Sequence, residues 1–376
     1  MAGSKPIRAW TANQGLLIYH QGHSSHDTNR KQSSNQDQYI QKGDPVNHIA
    51  FVKIHKAAST TIANIFQRYG YENNLVFAQP RGKGGDGPSL TPRYFFPPPN
   101  NKIYDIACAH AGYNREEFST VLPNDTVYIG VVREPYSHFR SFIRYFRPKN
   151  VLNIPGNHPV LDYLSHSEHH IKYHGSIHIR TKKIDHEFNM MAIEFGFPGE
   201  LFLNMDRKGL QMYLRKLDKE MDIMLVVEHF DESIVLMRRL LNWDLRYMLY
   251  GKIHVNKEED PRLQFGSTEE QLFKNRSYLD YALYDLFLEK MKKNLKRQLP
   301  DFYEELAYFR KTRIKFENFC LSAQSGDKNI TELSFEGSKW NKSFVIKKSL
   351  CENLFISAST FFRKILREQR LRDGIM

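Results

Sequence analysis

The chain has 376 residues, 41% of them hydrophobic and 13% aromatic, which is enough to bury one large core or two small ones, so disorder throughout is excluded. A formal net charge of +12 favours anionic partners, among them a nucleotide, nucleic acid, acidic lipid or sulfated glycan, without choosing between them. The three cysteines, Cys108, Cys320 and Cys351, have no CxxC spacing, which argues against a zinc site or a disulfide framework and leaves room for one bridge.

At the N-terminus, "WTANQGLLIYHQG" is too short and too polar for a span or a signal peptide, and no later run approaches the roughly 18 apolar residues of a transmembrane helix. The chain as written therefore reads as soluble. Residues 20–48 are rich in Gln, Asn, Ser and His, so residues 1–46 are expected to form a flexible polar arm or stem. The folded unit is expected from near Val46. Ile49 to Ile54 is an apolar run with β-branched residues, the pattern of a strand buried on both faces of a parallel sheet. From Thr60 the period changes: Ile62, Ile65, Phe66 and Tyr69 fall at helical spacing, and Gly70 is placed to close that helix.

The following stretch, "QPRGKGGDGPSLTPRYFFPPPNN", is too rich in Gly and Pro for regular structure and long enough to be functional. A short strand is expected over Tyr104 to Ala109, ending at His110. "TVYIGVVREPYSHFRSFIRYF" then repeats the first design, with a strand over Thr126 to Val132, a turn at Arg133 and a helix whose Phe139, Phe142, Ile143 and Phe146 share a face. "DIMLVVEHFDESIVLMRRLLNW" does so again, with a strand to Val227 and a helix turning Ile234, Met237, Leu240 and Leu241 inward. Alternating strands and helices predict an α/β fold of three layers around a central parallel sheet. Ligands in such folds sit at the C-terminal ends of the strands, where Lys56, His110 and Arg133 all stand.

The turn after the first strand gathers Lys56, Ser59, Thr60 and Thr61. A helix beginning there presents unpaired backbone N–H groups and a partial positive charge, a setting for phosphate, to which the hydroxyls and the lysine add donors. An ordinary Ser/Thr cap beside a solvated lysine is the plain alternative. A nucleotide triphosphatase fits less well, because the glycines and the Lys-Ser/Thr pair of its phosphate loop are missing.

"FVKIHKAASTT" paired with "VVREPYSHFRSFIRYF" resembles the nucleotide-binding motifs of Golgi carbohydrate sulfotransferases, most closely the galactose 3-O-sulfotransferase family, which includes galactosylceramide sulfotransferase. "NIFQRYGYENNLVFAQP", "FDESIVLMRRLLNWDL" and "YGKIHVN" are similar to the same family, so the likeness covers roughly residues 48–300. Ile54 and Ala57 depart from the Thr and Cys frequent there. The resemblance implies a P-loop-like sulfotransferase fold, expected over residues 47–320, and the basic residues 321–376 are expected to form a helical extension packed on it. It implies the donor 3′-phosphoadenosine 5′-phosphosulfate (PAPS), its 5′-phosphosulfate in the turn Lys56, Ser59, Thr60 and Thr61, and its 3′-phosphate on Arg133 and Ser141. The acceptor would be the 3-hydroxyl of a terminal galactose on a glycolipid or glycan.

Sulfuryl transfer needs a cation for the leaving oxygen and a base for the attacking hydroxyl. Lys56 is the expected cation and His110 the expected base, since a neutral imidazole accepts a proton near neutral pH, with His55 in reserve. The family needs no bound metal, and the irregular spacing of His166, His169, His170, His174 and His178 does not suggest one. Its members are Golgi membrane proteins facing the lumen, so membrane association is expected from the resemblance alone, and nucleic acid is not an expected partner. The sequons at Asn124, Asn275, Asn329 and Asn341 are about as many as chance supplies. The basic amphipathic "FFRKILREQRLRDG" could touch a membrane, but a helix packed on the domain is the simpler reading. A uronyl or heparan 2-O-sulfotransferase, and a non-catalytic basic protein binding glycan or nucleic acid, are the alternatives.

Overall fold

Four apolar runs build the centre of the molecule. In the computed structural model, which describes residues 43–81, 86–99, 103–166, 176–179, 182–185, 187–251, 260–325 and 331–372, β1 (Ile49–Phe51) leads through a turn into α1 (Ser59–Glu72), and β2 (Asp86–Ser89) follows. Next come β3 (Ile106–Ala107), β4 (His110–Gly112), α2 (Arg115–Val121), β5 (Val127–Val132) and α3 (Pro135–Phe146). Short pieces follow: α4 (Pro148–Leu152), α5 (Pro159–Ser165), the hairpin β6 (Ser176–Ile179) and β7 (Lys182–Asp185), α6 (Met190–Glu194) and α7 (Gly199–Leu203). α8 (Arg207–Glu220), β8 (Ile223–Val226), α9 (Phe230–Leu241), α10 (Leu245–Met248), α11 (Ser267–Arg276), α12 (Tyr278–Lys296) and α13 (Pro300–Gln324) complete the body. The chain closes with β9 (Glu332–Phe335), β10 (Phe344–Lys347), α14 (Lys348–Phe355) and α15 (Ala358–Arg372).

The central sheet is parallel with strand order β3-β1-β5-β8, as the alternating pattern predicts. Ile49 faces Ile106 on one side and Val127 on the other, and Ile129 faces Ile223, so continuous apolar strands lie between two helix groups. α12 packs on β5 and β8 together with α3, α6 and α8, while α1 and α9 each pack on α10 and α9 lies on β8. Buried Arg68 of α1 donates to the carbonyls of Tyr247 and Leu249, tying α1 to α10. Arg238 and Arg239 of α9 share the buried carboxylate of Glu305 on α13. The apolar face of α3 enters a second, smaller core with Val151, Tyr163, Phe188 and Phe273.

Several boundaries differ from expectation. The first strand stops at Phe51 rather than Ile54, and the segment to Ala109 divides, with His110–Gly112 pairing instead with Asp86–Ser89 inside the Gly/Pro-rich stretch. Gly70 does not close α1. It lies within the helix because a Cβ there would meet the Phe77 ring at 2.4 Å, so the glycine permits close packing rather than a cap. Phe146, expected inward, is 40% exposed at the end of α3. His169, His170 and His174 lie outside the described residues, as does most of the N-terminal arm; His166 pairs with Asp162 at 3.0 Å. Among the described residues, no helix is long and apolar enough to cross a membrane.

Candidate active site

The chain runs from β1 to β3 on one side of the sheet and to β5 on the other, so the C-terminal ends of β1 and β5 form the crevice where the strand order reverses. After β1 the backbone is forced into a tight turn. Lys56 and Ala58, neither of them glycine, adopt left-handed φ values of 58° and 53°, a strain of roughly 1–2 kcal/mol each that folds tolerate mainly at functional turns. The Ser59 hydroxyl donates to the Ile54 carbonyl and clasps the turn shut. α1 begins with no side-chain cap, and its Thr61 and Ile62 amides donate to the Ala58 carbonyl at 3.1 and 3.3 Å. The Ser59 and Thr60 amides precede the first amide bonded in this way, so the helix start is open to an anion. Thr60 is exposed and Thr61 half-buried beside it.

His55 is held from every side. Its backbone N–H donates to Glu194 Oε2 at 2.9 Å, its carbonyl accepts from His138 Nε2 at 2.6 Å, and its Nδ1 bonds Glu194 Oε1. The His110 ring stacks on it, centroids 3.6 Å apart and planes within 10°. His110 Nδ1 lies 2.9 Å from the Lys53 carbonyl. A carbonyl or carboxylate oxygen only accepts, so both rings carry their proton on Nδ1 and leave the Nε2 lone pair available. Burial pulls His110 down to about 2, helped by the charge on Lys53, and pulls His138 down to about 3, so both are held neutral.

Arg133, at the tip of β5, reaches across the crevice. Its Nη1 donates to the Lys56 carbonyl at 2.8 Å and its Nη2 to Ser137 Oγ at 3.0 Å, while the buried Nε has no partner among the described residues. Desolvation lowers its pKa; Arg140 and Arg144 push the same way, against Glu228 and Glu134. Burial, then the Arg133 charge, lowers Lys56, whose Nζ rests 3.7 Å from the Tyr145 ring centroid. The turn thus concentrates positive charge around an uncapped helix start.

His55, Lys56, Ser59, Thr60, Thr61, His110 and Arg133 are therefore brought to one crevice. Ser141 lies one turn beyond Ser137 on α3, half-buried, and it is Ser137 that Arg133 engages. Sequence reading missed Glu194, His138 and Ser137. Glu194 and His138 lie 139 and 83 residues from His55, without a motif to announce the pairing. Candidate ligand atoms of His55, His110 and Glu194 lie within 4.8 Å of one another, the composition of a metal site. A cation there would compete with the His55–Glu194 hydrogen bond and with the charge of Lys53, which already acts on His110.

A family model for galactose-3-O-sulfotransferases matches residues 11–339. Human galactose-3-O-sulfotransferase 2 is 27% identical over 299 residues, covering 78% of this chain and 72% of the relative. Mouse galactose-3-O-sulfotransferase 3 is 28% identical over 244 residues, covering 64% of this chain and 55% of the relative. Human galactosylceramide sulfotransferase is 27% identical over 227 residues, covering 58% and 51%. The chain spans little more than half the length of the latter two. No solved structure matches the chain.

Proposed function

The chain belongs to the galactose-3-O-sulfotransferase family of carbohydrate sulfotransferases, and from that premise we propose that it moves a sulfuryl group from PAPS to the 3-hydroxyl of a terminal galactose on a glycolipid or glycan, without a resident metal. The observation that carries this reading is the hydrogen bond from Arg133 to the Lys56 carbonyl, which draws an uncapped helix start and a partly unsatisfied guanidinium into one anion-binding crevice beside paired histidines. PAPS supplies an activated sulfuryl group on a phosphate that leaves as the 5′-phosphate of the product nucleotide.

The Ser59 and Thr60 amides and the Thr60 and Thr61 hydroxyls face the donor's 5′-phosphate. Because the Ser59 hydroxyl is spent on Ile54, Ser59 serves through its backbone. Arg133 holds the 3′-phosphate with Ser141, and Ser137 orients the guanidinium. Lys56 leaves the Tyr145 ring to neutralise the oxygen from which sulfur departs. The acceptor oxygen attacks sulfur in line, the bond to the bridging oxygen breaks, and the hydroxyl proton passes to a histidine.

We assign that base to His55 rather than His110. Glu194 beside its Nδ1 offsets the positive charge the ring gains, whereas a ring held down to about 2 is a poor proton acceptor at neutral pH. His110 then serves as a neutral wall against which His55 is stacked. A disulfide between Cys320 and Cys351 fits an oxidising compartment such as the Golgi lumen, where we place the enzyme at the membrane surface.

The test is binding and turnover in parallel. The desulfated product nucleotide should stabilise the parent chain saturably, and Lys56→Ala and Arg133→Ala should each weaken that binding. His55→Ala should leave binding intact and lower kcat by on the order of 10²–10⁴, and Glu194→Gln should lower kcat in the same direction. No saturable nucleotide binding would overturn the function, and full turnover in His55→Ala with loss in His110→Ala would reverse the base.

A further inference from the structure

Two large aromatic side chains stand in solvent at the mouth of this crevice. Tyr145 is 67% exposed and Phe146 40% exposed, although the preceding turn of the same helix buries Phe142 and Ile143. Their positions are tied to the reacting groups. Phe146 sets its edge against the His55 ring at 5.8 Å, Tyr145 lies under the Lys56 amine, and the two rings meet at 4.7 Å and 80°, forming a corner. Phe146 is braced from below by Phe142 at 4.9 Å. An exposed aromatic corner beside a base and a cation has no packing task that explains it.

We propose that Tyr145 and Phe146 are the stacking platform for the acceptor sugar, an inference that rests on the transferase reading above. A pyranose with an axial 4-hydroxyl gathers the C–H groups of carbons 3, 4 and 5 on one face, and aromatic rings take up such a face through apolar contact. The equatorial 3-hydroxyl projects from the edge of that same face. A β-galactoside laid on this corner therefore points its 3-hydroxyl toward His55, whose ring touches Phe146. A glucoside, with its 4-hydroxyl equatorial, presents a less continuous apolar face and stacks less well. The corner thus selects the sugar as well as holding it.

The experiment is steady-state kinetics of the full chain with PAPS at saturation and lactose-type and galactosylceramide acceptors, alongside thermal-shift titration with the product nucleotide. Tyr145→Ala and Phe146→Ala should each raise the acceptor KM about tenfold, while the nucleotide dissociation constant moves less than about twofold and Tyr145→Phe, which keeps the ring, behaves like the parent. An acceptor KM unchanged in the double alanine variant, or a nucleotide affinity falling in step with the acceptor's, would overturn the platform while the parent's activity left the transferase reading standing. A parent chain that transfers sulfate to no β-galactoside would overturn both.

Discussion

At the scale of single residues, the crevice is governed by how histidines are kept neutral. His138 is 2% exposed and spends its Nε2–H on the His55 carbonyl; His110 spends its Nδ1–H on Lys53. Desolvation, the first cause for each, holds them at about 3 and about 2 against an ordinary value of 6.5. The unfolded chain takes up a proton on each ring as pH falls through 6.5, and the folded chain does not. Stability from these two groups is therefore complete above that pH and declines below it, by about 2 kcal/mol each at pH 5. Urea denaturation at pH 7.5 and pH 5 should show this loss, and His138→Gln, which retains an N–H donor, should remove about half of it. A midpoint that does not move with pH would mean that the rings are not held neutral in the fold.

At the scale of elements, the recurring unit is strand, turn, helix. It was legible because β1 with α1, β5 with α3, and β8 with α9 each switch period within a few residues, so Lys56 and Arg133 could be put at strand ends by pattern alone. What escaped was pairing across the sheet. Glu194 reaches His55 from α6, and Ser137 rather than the more distant Ser141 meets Arg133; such contacts depend on packing between distant segments, on which local period is silent. Gly70 escaped for the same reason, since a glycine near a helix end reads as a cap until its neighbours are known. It sits where α1 presses on the segment before β3, facing Phe77 and, at 2.8 Å, the Cδ1 of Ile106. Gly70→Ala should destabilise the chain by about 1–3 kcal/mol despite its better helix propensity, measured as a lower urea midpoint with unchanged slope. A stabilised variant would mean that α1 can slide outward, and the turn that precedes it as well.

At the scale of the whole molecule, α1 is supported from behind by the C-terminal helices α14 and α15. The family match closes at residue 339, yet the chain continues through β10 and α14 into α15, which lies along α1. Gln369 donates to the Leu75 carbonyl at 2.6 Å, Asn64 of α1 to the Asn353 carbonyl at 2.9 Å, and Phe361 and Phe362 enter the main core. This brace is fastened to α13 by the disulfide between Cys320 and Cys351, which closes a span of 31 residues. In the chain-entropy account, a loop of that length constrains the unfolded state by about 3–4 kcal/mol. Cys351→Ser should therefore lower Tm by about 5 °C. Because α15 and α14 back the helix whose first turn is proposed to hold the donor, the same change should weaken product-nucleotide binding near the new Tm and leave it little altered well below, where the brace stays docked through its buried aromatics. A variant that loses affinity equally at all temperatures would instead place the bridge in the geometry of the turn between β1 and α1, and one with an unchanged Tm would show that the two sulfurs are not joined in the folded protein.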